Sequence, residues 1–287
     1  MTLHEVLRAA RERLVAGGIA PDEAAVDVEL YARTILGWDA ARLLTERAAS
    51  MPVALEPCFS EWIARRAERE PSAYIVGHRE FWGLDYLVSP AVLIPRPESE
   101  LIVEEALTRL RDAEWPRIAD VGTGSGCLGL SIAHHLPSAR VIATDISREA
   151  LGVARKNAAR LDVADRVSFL QTSYLDGVAG PPFDAIVANP PYVKDRDKPA
   201  ISRQVIAYEP HVALFGGEDG LRGVRSVLDA AKDRLRQGGW LIVEFGLGQD
   251  DEVGELIGGY PMFRLQSIKE DLQGIPRTAV VQRTIAP

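Results

Sequence analysis

The chain has 287 residues, 47% of them hydrophobic, and a formal net charge of -8, enough length for one large domain beside a smaller one. Residues 1–90 share the acidic balance, with ten arginines and no lysine against fourteen carboxylates, so no phosphate backbone is attracted overall and direct nucleic-acid binding is not expected. Cys58 and Cys127 make neither a disulfide framework nor a metal-ligand spacing, and no run resembles a signal peptide or the ~20 apolar residues of a membrane span, so a cytoplasmic, metal-free monomer off the membrane is expected.

Thr2-Leu3-His4-Glu5 has the spacing of a capping box and predicts a helix to about Ala16, stopped by Gly17-Gly18. Pro21 starts a second helix that runs to Gly37, and two more are expected near Asp39 to Ala48 and Leu55 to Glu70. A helical bundle therefore occupies residues 1–72. From Ala73 to Ile94 the texture turns β-prone, with Gly77 and Gly83 as breakers, so 73–95 reads as a β-hairpin linker. Over 96–287, after a helix from Glu98 to Leu110, strands near 117–121, 139–144, 166–171, 183–188 and 240–245 alternate with helices. The helix Leu221 to Arg236 is expected to stop at Gly238-Gly239. That alternation is the pattern of a doubly wound, mostly parallel α/β sheet. The late runs Phe263 to Ile268 and Thr278 to Arg283 lie too close together for a parallel crossover, so they predict an antiparallel edge hairpin.

Two motifs fall at strand ends of this sheet. Asp120-Val121-Gly122-Thr123-Gly124-Ser125-Gly126 joins the first strand to a helix in the manner of a nucleotide-binding loop. It departs from the dinucleotide fingerprint, because the third glycine would fall at Cys127 and Asp120 would repel a pyrophosphate. A carboxylate there suits a ligand carrying an ammonium and a sulfonium. Asp145 ends the next strand and is placed to accept both hydroxyls of a ribose. Its competing role as a helix cap is already served by Ser147.

The second motif is Asn189-Pro190-Pro191-Tyr192, at the end of the apolar run Phe183 to Ala188. The prolines contribute carbonyls and no N–H, so the turn is biased towards gripping a donor. Each residue before a proline is pushed into extended conformations, which splays Asn189 and Pro190 and leaves the Asn189 side-chain oxygen and the Pro190 carbonyl to accept. Tyr192 can lie flat against a planar NH2 group. Asn189, Pro190, Pro191 and Tyr192 are thus the candidate substrate-binding residues, with Asn189, Pro190 and Tyr192 carrying the chemistry. A cationic adenosyl donor at one loop and a pinned NH2 at the other imply methyl transfer from S-adenosylmethionine, leaving S-adenosylhomocysteine. The turn alone does not distinguish a carboxamide from the exocyclic amine of adenine. A non-catalytic adenosyl-binding protein and a nicotinamide dehydrogenase are rival readings, the latter disfavoured by Cys127 and Asp120.

Over almost its whole length the chain resembles the peptide chain release factor glutamine methyltransferases, the HemK/PrmC family. The likeness is carried by Tyr74-Ile75-Val76-Gly77, Phe81-Trp82-Gly83, Val92 to Glu100 with its Pro95-Arg96-Pro97-Glu98, the Gly122 to Gly126 loop, Asn189 to Tyr192, Tyr208-Glu209-Pro210 and Gly216 to Leu221. The resemblance implies a class I S-adenosylmethionine-dependent methyltransferase fold. It implies methylation of the side-chain amide nitrogen of the glutamine in the Gly-Gly-Gln loop of class I release factors, with the N-terminal helical domain recognising the release factor. It places the donor on Gly122, Thr123, Gly124, Ser125, Gly126, Asp145, Tyr174 and Asn189. Tyr174 has simple core packing as its alternative role, and Arg96 and Glu98 have a helix-entry role as theirs. The chain departs from the family at Ser173, where an acidic residue often precedes the aromatic, which puts an adenine contact at 173 in doubt.

Overall fold

The capping box forms as its spacing predicts: Thr2 Oγ1 accepts from the Glu5 amide at 3.3 Å and the Glu5 carboxylate accepts from the Thr2 amide at 2.8 Å, starting α1 (Leu3–Ala16). The computed structural model describes residues 1–284; positions 285–287, the last three of the expected second domain, lie outside the described residues. α2 (Pro21–Leu36) starts on its proline and ends on Gly37 in the left-handed region. α3 (Ala40–Thr45) is capped by Asp39. α4 (Cys58–Ala67) begins three residues later than expected, because Pro57 holds the preceding backbone out of the α region.

The β-prone Tyr74-Ile75-Val76 is a helical turn, not strand. α5 (Ser72–Val76) opens after Pro71 and is closed by Gly77 at φ 83°, whose N–H donates to the Ala73 carbonyl. Ile75 is buried in the same apolar cluster as Leu14, Val28 and Phe59, and burial overrides local β preference. These helices, with residues 202–208, form the first of two compact units. Arg66 lies inside it at 1% exposure, donating to Asp27 Oδ2 at 2.6 Å, to Glu23 and to Gln204. That set pairs a charge that would otherwise be prohibitive to bury.

The second unit takes in His78–Ile201 and Glu209 onward. It opens with the hairpin β1 (His78–Phe81) and β2 (Leu84–Leu87). Phe81 and Tyr86 are buried with apolar residues of α6 (Glu100–Leu110) and of α7 (Cys127–His135). There follow β3 (Arg117–Val121), β4 (Arg140–Asp145), α8 (Arg148–Arg160), β5 (Val167–Gln171), β6 (Phe183–Ala188), the short α9 (Arg203–Tyr208) of the first unit, α10 (Arg222–Arg234), β7 (Leu235–Glu244), α11 (Asp250–Gly258), β8 (Phe263–Glu270) and β9 (Pro276–Arg283). The sheet order is β5-β4-β3-β6-β7-β9-β8. β3 to β7 run parallel, and β9 is antiparallel to both β7 and β8, so the expected doubly wound sheet with its antiparallel edge is present. α10 stops at Arg234 and β7 starts at Leu235, five residues earlier than expected. Gly238-Gly239 lies inside the strand, where the register against β6 shifts between Phe183 and Ala185.

Chain order reverses at β3, which has β4 on one side and β6 on the other. In open α/β sheets such a switch opens a crevice beyond the carboxyl ends of the strands. Register makes this specific. Val121 is opposite both Thr144 and Ala188, and Ala188 is opposite Val243. Asp145, Gly122, Asn189 and Glu244 therefore stand in one row across four neighbouring strands.

Buried Asn157 on α8 ties the hairpin to the glycine loop: its Oδ1 accepts from Leu87 N at 2.8 Å, and its Nδ2 donates to the carbonyls of Leu87 and Ser125 at 3.0 and 2.8 Å. Asn157→Ala leaves three backbone groups, two part-buried on Leu87 and one buried on Ser125, without this partner and is expected to lower stability by about 1–3 kcal/mol. Urea denaturation measures it; a change within about 0.5 kcal/mol, ordinary for an inert surface site, would contradict the role given to Asn157.

Candidate active site

A cavity of about 300 Å³ opens at the switch point and is lined by the Gly122 to Ser125 loop, Asp145, Tyr174, Asn189, Pro190 and Pro191, with Leu93 to Arg96 and Pro210, Val212 and Ala213 supplying further wall. The size and mostly apolar lining suit a small-molecule site. Gly122, Gly124 and Gly126 all have positive φ, and nothing lies within 4 Å of where a side chain at Gly122 or Gly124 would begin. The loop amides are largely spent within the protein. Gly122 and Thr123 donate to the Thr144 carbonyl, Gly126 to the Thr123 carbonyl, and Gly124 to Asp145 Oδ2 at 2.9 Å. A pyrophosphate would find few donors there.

Asp145 also accepts from Ser147 N at 2.9 Å through Oδ1. Burial pushes its carboxyl above the usual range despite these bonds. As a carboxylate it is an acceptor only, with lone pairs left for hydroxyl donors. Tyr174 both lines the cavity and packs on the core below β6 and β7. Its φ of 48° is uncommon for a bulky residue, so the backbone is held in a strained state where it shapes the wall. Ser173 is exposed and does not line the cavity, whereas its neighbour Thr172 does.

Asp120 is placed differently from the rest. It is fully buried beneath the loop, not on the cavity wall. Oδ2 accepts from Thr123 Oγ1 at 2.5 Å and from Gly129 N at 3.0 Å, holding the loop onto the start of α7, and Oδ1 has no partner among the described residues.

Asn189 and Pro190 emerge from β6 onto the wall. Asn189 Nδ2 donates to Ser99 Oγ at 2.9 Å, the Ser99 hydroxyl donates to Glu244 Oε2 at 2.6 Å, and the Tyr192 hydroxyl donates to Glu244 Oε1 at 3.1 Å. Asn189 Oδ1 accepts from no described side chain or amide. Tyr192 is half-buried and does not line the cavity; Gln249 Nε2 donates to its carbonyl at 3.1 Å. The corner is backed by the Gly216 to Gly223 segment. A Cβ at Gly216 would sit 2.5 Å from the Pro191 carbonyl, and one at Gly223 would sit 2.8 Å from Pro190 Cβ. This close approach is the physical reason for glycine in that segment.

Arg96 donates to Glu209 Oε1 at 2.5 Å, and the Ile94 amide donates to Glu209 Oε2 at 3.2 Å. The Pro-Arg-Pro block therefore clamps two segments of cavity wall together. The sequence singled out neither Ser99 nor Glu244. The available signal for Glu244 was a lone carboxylate closing the apolar run Trp240 to Val243.

Among known families, Methyltransferase small domain matches residues 99–218 and PrmC N-terminal domain matches residues 5–77. The release factor glutamine methyltransferase of Moorella thermoacetica is 42% identical over 287 residues, covering 99% of this chain and 99% of its own length. That of Bradyrhizobium diazoefficiens is 42% identical over 276 residues, covering 93% and 90%. A solved methyltransferase from Pyrococcus furiosus has the same fold, with a TM-score of 0.52 at 21% identity over 71% of this chain and 91% of its own. Among the described residues no helix is long and apolar enough to cross a membrane.

Two carboxyls of the site are displaced towards neutrality by burial: Asp120 is pushed up to about 6 and Glu244 to about 7, against the hydrogen bonds each accepts. A carboxyl that holds its proton more tightly when folded stabilises the fold at low pH, and that contribution is lost as pH rises through its folded value. For Glu244 the loss is on the order of 3 kcal/mol. Glu244→Gln stays neutral throughout, so its stability relative to the parent is expected to improve by that order from about pH 5 to about pH 8. Urea denaturation across the range measures it; a difference independent of pH would contradict the assignment.

Proposed function

The chain belongs to the release factor glutamine methyltransferase family, and from that premise we propose that it transfers the methyl group of S-adenosylmethionine to the side-chain amide nitrogen of the glutamine in the Gly-Gly-Gln loop of class I peptide chain release factors. S-adenosylhomocysteine is the second product, and the modification supports translation termination in the cytoplasm. The protein acts without a metal, as a monomer, and takes no nucleic acid directly. Residues 1–72, within the unit that matches PrmC N-terminal domain, recognise the release factor.

The observation that carries this reading is the direction of Asn189. Its Nδ2 is held by Ser99, which leaves Oδ1 free to accept, and Asn189 and Pro190 both line the cavity. A glutamine amide presents two N–H donors in one plane, and Asn189 Oδ1 and the Pro190 carbonyl are its complement. Tyr192, with its hydroxyl anchored on Glu244, braces the corner from behind.

The residues present also fit the donor. The open cradle over Gly122 and Gly124 gives backbone room for the adenosyl group, with Thr123, Ser125 and Gly126 completing the loop. Asp145 offers acceptor oxygens to ribose hydroxyls, and Tyr174 walls the base. Asp120, acting through Thr123 and the start of α7, keeps the loop in that shape. When bound, S-adenosylmethionine supplies an electrophilic methyl on a sulfonium.

The chain's own contribution is positional. Asn189 Oδ1 and the Pro190 carbonyl hold both amide hydrogens and turn the nitrogen lone pair towards the donor side of the cavity. Positioning of this kind removes roughly 7–11 kcal/mol of barrier. The two accepting bonds strengthen as positive charge develops on nitrogen, which favours the transition state over the bound substrate. The attacking nitrogen is neutral, so no strong base is needed before transfer; as the N–C bond forms, the methyl–sulfur bond breaks to leave a neutral thioether, and the nitrogen then sheds one of its protons to solvent.

Asn189→Ala is expected to lower kcat by about 10²- to 10³-fold in single-turnover transfer from radiolabelled donor to release factor. The Gln→Ala release factor should accept nothing. Unchanged turnover in Asn189→Ala removes Asn189 from the mechanism, and labelling of DNA in place of the release factor overturns the substrate assignment.

A further inference from the structure

Ser99, on the cavity wall, and Glu244, away from it, are buried beside the substrate corner at 2% and 1% exposure, and they determine which atom of Asn189 is left to accept. Both oxygens of Glu244 are engaged, by the Ser99 hydroxyl at 2.6 Å and the Tyr192 hydroxyl at 3.1 Å. A carboxylate has no hydrogen to give. While Glu244 is ionised, the Ser99 proton is therefore committed to it, and the Ser99 oxygen offers only lone pairs to the Asn189 group 2.9 Å away. That group must be the NH2, so the carboxamide oxygen points the other way. Once Glu244 takes up a proton, the neutral acid can donate to Ser99 and release the hydroxyl hydrogen to an amide oxygen. The two orientations of Asn189 then become alternatives.

We infer that Ser99, oriented by ionised Glu244, is a positioning residue that locks the Asn189 carboxamide with its oxygen towards the substrate, and that a proton on Glu244 releases this lock. The inference rests on Asn189 being the acceptor for the substrate amide. Four other side chains face or bear on Glu244. Glu98, beside Ser99, raises its proton affinity, and Arg277 of β9 lowers it. Tyr192 and Cys127 both have their own ionisation pushed up by burial first and by Glu244 among the lesser causes. Burial dominates for Glu244 and sets its carboxyl near 7, so the lock titrates close to neutrality.

One readout needs no acceptor protein. In nitrogen-15 spectra, the Asn189 side-chain amide pair, identified by its disappearance in N189D, is expected to titrate between about pH 6 and pH 8 in the wild-type chain. It should be flat in S99A and in E244Q. Kinetically, S99A should lose about 10- to 100-fold in kcat with donor Kd unchanged, lose the acid limb of the wild-type pH profile, and be largely restored by S99T. A flat Asn189 signal in the wild type, or an S99A enzyme with wild-type kcat and an intact acid limb, overturns the lock. A wild-type chain whose Asn189 signal titrates but which methylates no release factor defeats the substrate reading and leaves the lock standing.

Discussion

The register of four parallel strands is the constraint on which the site depends. Val121 opposite Thr144 and Ala188, and Ala188 opposite Val243, bring the ends of β4, β3, β6 and β7 to one level. A slip by one residue on any of them would turn its side chains to the opposite face and take Asp145, Gly122, Asn189 or Glu244 out of the row. Both faces of β6 are buried along most of its length, so a slip would also force apolar side chains out of their packing. The hydrophobic core thereby fixes the geometry of polar groups that contribute nothing to it.

Those polar groups carry a cost that the fold absorbs. Asp120 and Glu244 sit fully buried near the carboxyl ends of β3 and β7, where their strand neighbours Ile118, Ala119 and Val121, and Leu241 to Val243, are apolar and buried, and burial of a carboxylate is unfavourable even when its oxygens are hydrogen-bonded. Each performs local work in return. Asp120 fastens the glycine loop to α7, and Glu244 holds Ser99 and Tyr192, the two supports of the substrate corner. Strain at Tyr174, left-handed at φ 48°, belongs to the same pattern. These departures from an ideal interior cluster around one cavity, where function rather than stability selects them.

What the sequence made legible was chemistry written into the backbone. Two prolines remove N–H donors wherever they sit, and three glycines permit positive φ wherever they sit, so the Asn189 corner and the Gly122 loop could be read without coordinates of any neighbour. The strand alternation and its antiparallel edge followed from spacing. Tyr74 to Val76 misled because their β preference is weak beside burial of Ile75 in a helical core. The start of β7 was hidden by a glycine pair that serves a register shift rather than a helix stop. Ser99 and Glu244, 145 positions apart, meet only through the fold and left no local pattern. Asp120 looked ligand-facing because its neighbours are; the counter-signal was Gly129, in the first turn of α7, where a Cβ would lie 2.8 Å from the Asp120 carboxylate.

The most direct measurement is a crystal structure of the chain with S-adenosylhomocysteine and a peptide containing Gly-Gly-Gln. The glutamine nitrogen should lie within hydrogen-bonding distance of both Asn189 Oδ1 and the Pro190 carbonyl, with the sulfur on the opposite side of that nitrogen. A glutamine amide that meets Asn189 through Nδ2, or that binds away from the corner between β6 and the glycine loop, would contradict the account.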